Sequence, residues 1–438
     1  MSTSAPLIAF GSTNNDPPID GATPDSPALQ WTDAGVACTA RWRSERGAVP
    51  PKKVIVADDT ITADVAYRLA CEGTALLWSG DFQNARQLLQ AIMRRLAQPA
   101  KRTQRKQSAK VAISANATAA KPVESAFNLH RQAQAQRARV LGMLMIPVDA
   151  DRGIPLRRAP DARKAFHEAW GPADPSTGVS VLALRELLGL ISAHEWRKKG
   201  VEIAALGAAP HNRIHPHYGV FSPVRGEYVD LVATALNASP ATKEGTKKPT
   251  ASTAFDSAFD IGTGTGVLAA VMARSGILHV VATDQDPRAL SCAQDNLNRL
   301  GVSGQVKVVQ ANLFPEGQAQ LIVCNPPWLP ARPSSPIEHA VYDEGSRMLM
   351  GFLRGLRAHL LPGGEGWLIM SDLAEHLGLR SRADLLSAID AAGLTVVDRL
   401  DAKPLHPKAQ DATDPLHAAR AAEVTSLWRL AAKVEGSD

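Results

Sequence analysis

Leu321 to Cys324 reads as an apolar strand that stops abruptly in Asn325-Pro326-Pro327-Trp328. Two prolines end a sheet ladder and restrict the backbone around them, so the carbonyl directions at this corner are held. A side-chain amide, two prolines and a large ring are more than a strand terminator needs. A second set of residues lies upstream, where Gly262-Thr263-Gly264-Thr265-Gly266 joins a strand to a helix. The spacing is neither the GxGxxG of dinucleotide folds nor a phosphate loop ending in GK[ST]. Glycines there let the backbone approach a flat or carbonyl-bearing ligand without Cβ clashes. Eighteen residues after Gly266 comes Asp284, at the tip of the next strand. A carboxylate in that place accepts both ribose hydroxyls of a nucleoside ligand. Asn312 ends the strand after that, where its amide reaches an adenine edge.

These residues need elements to hold them. AFDI (258–261), HVVATD (279–284), QVKVVQAN (305–312) and the strand before Asn325 alternate with helices, of which PRALSCAQDNLNRLG (287–301) ends in glycine. All four strand ends therefore fall on one rim of a parallel sheet, the rim at which open α/β sheets bind ligands. Residues 351–364 read as a helix and turn, 365–372 as a fifth strand, 381–393 as a helix, and 394–400 and 423–432 as two more strands. The long loop 401–422 carries His406 and His417, read as solvated.

The first half of the chain is different. Residues 1–30 are rich in Ser, Thr, Pro, Asn and Gly and read as a disordered tail. Strands at 54–58, 74–80 and 140–148 with helices at 63–73 and 84–97 imply an α/β domain with a parallel sheet. Its first strand-to-helix turn, ADDTIT, has no glycine, and no cofactor is expected there. Residues 181–205 read as helical and 237–253 as a flexible insertion. Between Arg94 and Lys110 stand seven basic residues and no acidic one, which is either a solvated loop or an arm that contacts RNA phosphates.

The length, 438 residues, implies two or three domains, since one core rarely grows past roughly 250–300 residues. Net charge is +5, mildly favouring an anionic partner. Four dispersed cysteines give neither a disulfide framework nor a zinc spacing. No secretory signal and no apolar stretch near the ~20 residues of a membrane span is apparent, so a cytoplasmic location without membrane contact is expected.

AFDIGTGTG, VVATDQDP, ANLF and VCNPPW, in this order and spacing, resemble class I S-adenosylmethionine-dependent methyltransferases. The NPP-aromatic corner resembles the subset that methylates planar nitrogens: release-factor glutamine, small-domain ribosomal RNA guanine, and adenine-N6 DNA methyltransferases. The resemblance implies an α/β fold with a seven-stranded doubly wound sheet over residues 206–438, preceded by a smaller, degenerate α/β domain at 31–205 that recognises substrate. It implies that Asp260, Gly262, Gly264, Gly266, Asp284 and Asn312 bind S-adenosyl-L-methionine. Asn325 and Pro326 would grip the target nitrogen and Trp328 would stack on the planar group that bears it. In this family Tyr or Phe is commoner than Trp at position 328.

The substrate is left between two classes. FSPVRGE (221–227) and YDEGSRMLMGFL (342–353) resemble the protein-glutamine branch, whereas a degenerate N-terminal α/β domain resembles the ribosomal RNA branch. The expected partner is thus a translation protein or ribosomal RNA, with nucleic-acid binding in the second case. In either branch Pro327, Arg225 and Glu227 are expected near the substrate, the last two alternatively as an ion pair. A non-catalytic RNA-binding scaffold is the remaining alternative, and the oligomeric state is open.

Overall fold

The computed structural model describes residues 27–97, 123–238, 255–333, 336–404 and 411–433. The tail to residue 26, the basic stretch beyond Ala97, nearly all of 237–253, and His406 lie outside the described residues. The chain divides into two compact units, Met1–Lys121 with Leu129–His194, and Pro122–Asn128 with Glu195–Asp438. The division at His194 falls upstream of the boundary expected at residue 205.

In the first unit, β1 (Ala28–Asp33) and β2 (Val36–Arg43) form an antiparallel hairpin. Its turn residues Ala34 and Gly35 both have positive φ, 48° and 86°, as a two-residue type I′ turn requires. Then follow β3 (Lys53–Ala57), α1 (Ala63–Cys71), β4 (Thr74–Trp78), α2 (Phe82–Ala97), α3 (Val123–Leu141), β5 (Leu144–Val148), α4 (Arg163–Trp170), β6 (Ser180–Ala183) and α5 (Leu184–Lys199). The sheet order is β1-β2-β6-β5-β4-β3, antiparallel at β1/β2 and β5/β6. The expected all-parallel sheet is thus corrected to a mixed one. The first strand begins inside the expected tail. Val140 and Leu141 end a helix instead of opening a strand, and the helix expected at 181–205 begins as β6 and stops at Lys199.

The second unit begins with a short ladder of β7 (Val201–Glu202) and β8 (Arg213–Ile214), then α6 (Glu227–Asn237). From there strands and helices alternate: β9 (Ser257–Ile261), α7 (Val267–Arg274), β10 (His279–Asp284), α8 (Pro287–Leu300), β11 (Val306–Gln310), β12 (Ala319–Cys324), α9 (Arg347–His359) and β13 (Leu360–Ser371). The short α10 (Leu373–His376), α11 (Arg382–Ala391), β14 (Leu394–Ala402), α12 (His417–Ala422) and β15 (Thr425–Ala432) complete it. His417 therefore opens a helix and is part-buried, not a solvated loop residue.

The seven strands run β11-β10-β9-β12-β13-β15-β14, parallel except β15, which is antiparallel to both neighbours. This is the doubly wound sheet the resemblance implies. Alternate strand residues face opposite layers, and both layers are apolar, which explains the unbroken hydrophobic runs. Ala258 and Val323 pack under α6 and α7, while Phe259 and Ile322 pack under α9 and α11. The strand order reverses between β9 and β12, the switch point where such sheets open a crevice. Ile261 of β9 pairs with Thr283 of β10 and Cys324 of β12. Gly262, Asp284 and Asn325 are thus each the next residue outward along three adjacent strands. Among the described residues no helix is long and apolar enough to cross a membrane.

Candidate active site

Asp260, the penultimate residue of β9, is 1% exposed. Its Oδ2 accepts from the Thr263 hydroxyl at 2.6 Å and from the Ala269 amide at 3.1 Å. One oxygen thereby ties the glycine loop to the first turn of α7, and burial pushes the carboxyl pKa up to about 6. Asp260, expected among the cofactor-binding residues, lies beneath the loop, where its Oδ2 positions Thr263 and the helix start. The Thr263 amide also donates to the Thr283 carbonyl at 2.8 Å, which joins the loop to β10.

The glycines do different things. Gly264 has φ 54°, and a Cβ there would meet no atom within 4 Å, so this stretch of backbone borders open space. Gly266 has φ 79°, and a Cβ would come within 3.1 Å of the Ala293 backbone in α8, so its lack of a side chain lets α7 and α8 close. The Met348 methyl of α9 lies against Gly262.

Asp284 is part-buried, and its Oδ2 accepts from the Gly264 amide and its Oδ1 from the Asp286 amide, both at 3.0 Å. Each oxygen keeps a further lone-pair direction. Burial raises its pKa, and a carboxylate so raised is a strong acceptor for hydroxyl groups. Asn312 is exposed just beyond β11, held near Asp284 by the bond from the Ala311 amide to the Asp284 carbonyl at 3.1 Å.

At the end of β12 the Trp328 indole Nε1 donates to Asn325 Oδ1 at 2.9 Å. An indole nitrogen only donates, so the bond holds the amide with its oxygen towards Trp328 and leaves one lone pair of that oxygen unspent. Trp328 packs against both layers of the core, and the Arg225 guanidinium lies 5.8 Å from its ring centroid. The ring, expected from the sequence to stack on the target group, is part-exposed, with Arg225 lying over it. It is a fixed part of the wall that orients Asn325. Pro326 is buried and Pro327 part-buried beside it. The next residue, Leu329, donates to Val341 at 3.2 Å and accepts from Asp343 at 2.9 Å. Asp343 in turn accepts from the Met348 amide at 2.6 Å. The corner is so clamped to the start of α9, the helix that touches Gly262.

Arg225 pairs not with Glu227 but with Glu423, Nη1 to Oε1 at 3.1 Å. Glu227 is the first residue of α6, where a carboxylate suits the positive end of the helix. Glu423 is fully buried and also accepts from the Ser371 hydroxyl at 2.7 Å. Its Oε2, Glu227 Oε1 and Ser222 Oγ are buried without a hydrogen-bond partner among the described residues. Such orphaned acceptors belong to sites more often than to finished cores. The sequence reading missed Thr263, Met348 and Glu423. Thr263 lies within the glycine loop it steadies, but nothing local marks Glu423, which arrives only because Ser371 and Thr425 are paired across β13 and β15.

Residues 213–382 match the family model described as methyltransferase small domain. The ribosomal protein L11 methyltransferase of Pelotomaculum thermopropionicum is 38% identical over 144 residues, which cover 32% of this chain and 39% of that protein. The release factor glutamine methyltransferase of Cereibacter sphaeroides is 30% identical over 164 residues, which cover 34% and 57%. The chain thus matches between 39% and 57% of the length of these relatives. Among solved structures, the ribosomal protein L11 methylase of Lactobacillus delbrueckii subsp. bulgaricus aligns over 49% of this chain and 83% of its own, at 16% identity and a TM-score of 0.32. The match to a methyltransferase small domain over residues 213–382 coincides with the reversed strand order described above, and the C-terminal unit has the class I methyltransferase fold.

Proposed function

We propose that the C-terminal unit transfers a methyl group from S-adenosylmethionine to a planar NH₂ nitrogen in a macromolecule, a protein glutamine amide in the first reading. The observation that carries this is the strand register that sets Asn325 one residue beyond Cys324, level with Gly262 and Asp284. The residues present fit the cofactor: the space at Gly264 is open, and Asp284 retains acceptor directions. Asp284 would hold its ribose, Asn312 its adenine, and the backbone from Gly262 to Gly266 its amino-acid end. When bound, it supplies an electrophilic sulfonium methyl.

An amide nitrogen is a poor nucleophile because its lone pair is delocalised. Asn325 Oδ1 and the Pro326 carbonyl would accept its two N–H groups and favour a tetrahedral nitrogen. Both bonds strengthen as positive charge develops, so they stabilise the transition state more than the substrate. The methylated cation is acidic and loses its proton to water without a dedicated base. Trp328 keeps the Asn325 oxygen aimed, and Pro327 and Arg225 border the target.

The two relatives support a protein target, since both are named for protein substrates, a ribosomal protein and a release factor. The second reading, an exocyclic amine of guanine or adenine in ribosomal RNA, is favoured by the α/β character of the N-terminal unit, which would then recognise the substrate. Labelled methyl transfer into lysate of a deletion strain, digested separately with nuclease and protease, decides between them. Label that survives nuclease but not protease is expected. Asn325→Ala should lower kcat by roughly 10²–10³, or about 3–4 kcal/mol. Full activity in that variant would sink the mechanism.

A further inference from the structure

Arg152, in the first unit, is 5% exposed, yet no carboxylate lies within ion-pair distance of it among the described residues. Its Nε is buried without a hydrogen-bond partner, and so is that of Arg43. The two guanidiniums lie against one indole, that of Trp170, at 5.0 and 4.9 Å from the ring centroid. Arg41 and Arg43 are two residues apart on β2 and so share a sheet face. The buried Trp42 between them faces the opposite layer. Burial, and then the charge of Arg41, pull the Arg152 pKa down; for Arg43, burial is followed by Arg41 and Arg152. The acids near this group are Glu45, which accepts from the Trp170 indole, the exposed Asp174, and Asp151 and Glu168, of which Asp151 is paired with Arg163. Arg152 also has φ 67°, a backbone region unfavourable for a residue with a side chain. It lines a groove of 390 Å³ together with Asp151, Arg163, Lys164, His167 and Glu168.

Burying an unpaired ion costs more than its attraction to an indole face ordinarily regains. The cluster is therefore incomplete as a structural core. Planar guanidinium forks with unspent donors match the oxygens of a phosphoryl group, which they bind bidentately.

We propose that Arg43 and Arg152, both against Trp170, and Arg41, on the same sheet face as Arg43, form a binding site for a phosphoryl group in the N-terminal unit. The site stands apart from the methyl-transfer reading, and its failure would leave that reading untouched.

The test uses the full chain, with inorganic phosphate and a short single-stranded RNA as probes. Phosphate should raise the melting temperature and perturb Trp170 fluorescence relative to chloride of equal ionic strength; Trp170→Phe identifies the signal. Arg152→Met should weaken phosphate binding by about tenfold or more while leaving the fold as stable or more so, because it removes a buried unpaired cation. Arg41→Gln and Arg43→Gln, at part-exposed positions, should each weaken it too, and they decide the matter if Arg152→Met fails to fold. RNA that binds more tightly than phosphate, and is weakened by the same variants with a shallower salt dependence, assigns the phosphoryl group to a nucleic-acid backbone. Phosphate binding with no gain from RNA assigns it to a free phosphate. No phosphate response beyond chloride, or unchanged affinity in all three arginine variants, overturns the site.

Discussion

Asp260 and Asp284 end neighbouring strands but spend their oxygens differently, and the difference is testable. Asp260 uses a single oxygen for both bonds, to Thr263 and Ala269. Its pKa is raised by burial from 3.8 to about 6, so the folded state binds more protons than the unfolded one between those values. The carboxyl's contribution to stability is therefore fullest below the ordinary carboxylate range and is lost as pH rises through 6, by up to about 3 kcal/mol. Asp260→Asn keeps one accepting oxygen and carries no charge. Urea denaturation should find it as stable as the parent or more so at neutral pH, without that advantage in acid, while Asp260→Ala is weaker at both. An Asn variant that suffers most at neutral pH would contradict this account. At the corner, Trp328→Phe removes the indole donor and frees the Asn325 amide to turn. One ordinary hydrogen bond is worth about 0.5–1.5 kcal/mol, so kcat should fall roughly 2- to 12-fold. Calorimetry should find the affinity for S-adenosylhomocysteine unchanged.

The glycine loop shows how an element separates stability from binding. Gly266→Ala meets both a positive φ and the Ala293 backbone at 3.1 Å, so it should cost about 2–5 kcal/mol of stability by strain and overpacking together. Gly264→Ala meets only the φ term, about 1–2 kcal/mol, since its Cβ enters open space. Its larger effect should be on S-adenosylhomocysteine affinity, measured beside the denaturation midpoint. Equal stability losses in the two variants would contradict this. Most elements of the C-terminal unit were legible because their signals are local: β9, β10 and β12 as apolar runs, and α8 between Asp286-Pro287 and Gly301, its cap residues. In the N-terminal unit β1 and β2 were missed although their burial alternates: β1 buries only Leu29 and Trp31, and in β2 two of the three buried residues are the small Cys38 and Ala40, which carry little of the pattern. The strand expected to start at Val140 failed for another reason. Val140 and Leu141 are buried from a helix, and apolarity alone does not tell a buried helix end from a strand.

Across the whole chain, the sharpest test of tertiary closure is Glu423, which meets Arg225 from 198 residues away. Glu423→Ala strands the Arg225 guanidinium beside Trp328, and breaking one side of a buried pair costs about 3–5 kcal/mol. Thermal unfolding of the variant, with and without a second Arg225→Met change, should show the double variant recovering part of the loss. No recovery would mean that the pair does not act as a unit. By itself the sequence determined the chemistry offered at the strand ends: Gly262 to Gly266, Asp284, Asn312 and Asn325 are marked by turns, prolines and apolar runs a few residues long, and parallel strands must carry them to one rim. Only the tertiary structure decided what those groups are spent on. Asp260 is turned inward, Trp328 is bonded to Asn325, Arg225 is paired with Glu423, and Arg43 and Arg152 meet on Trp170. Those contacts depend on which distant segments pack side by side and on which way a side chain turns, and no local spacing encodes either.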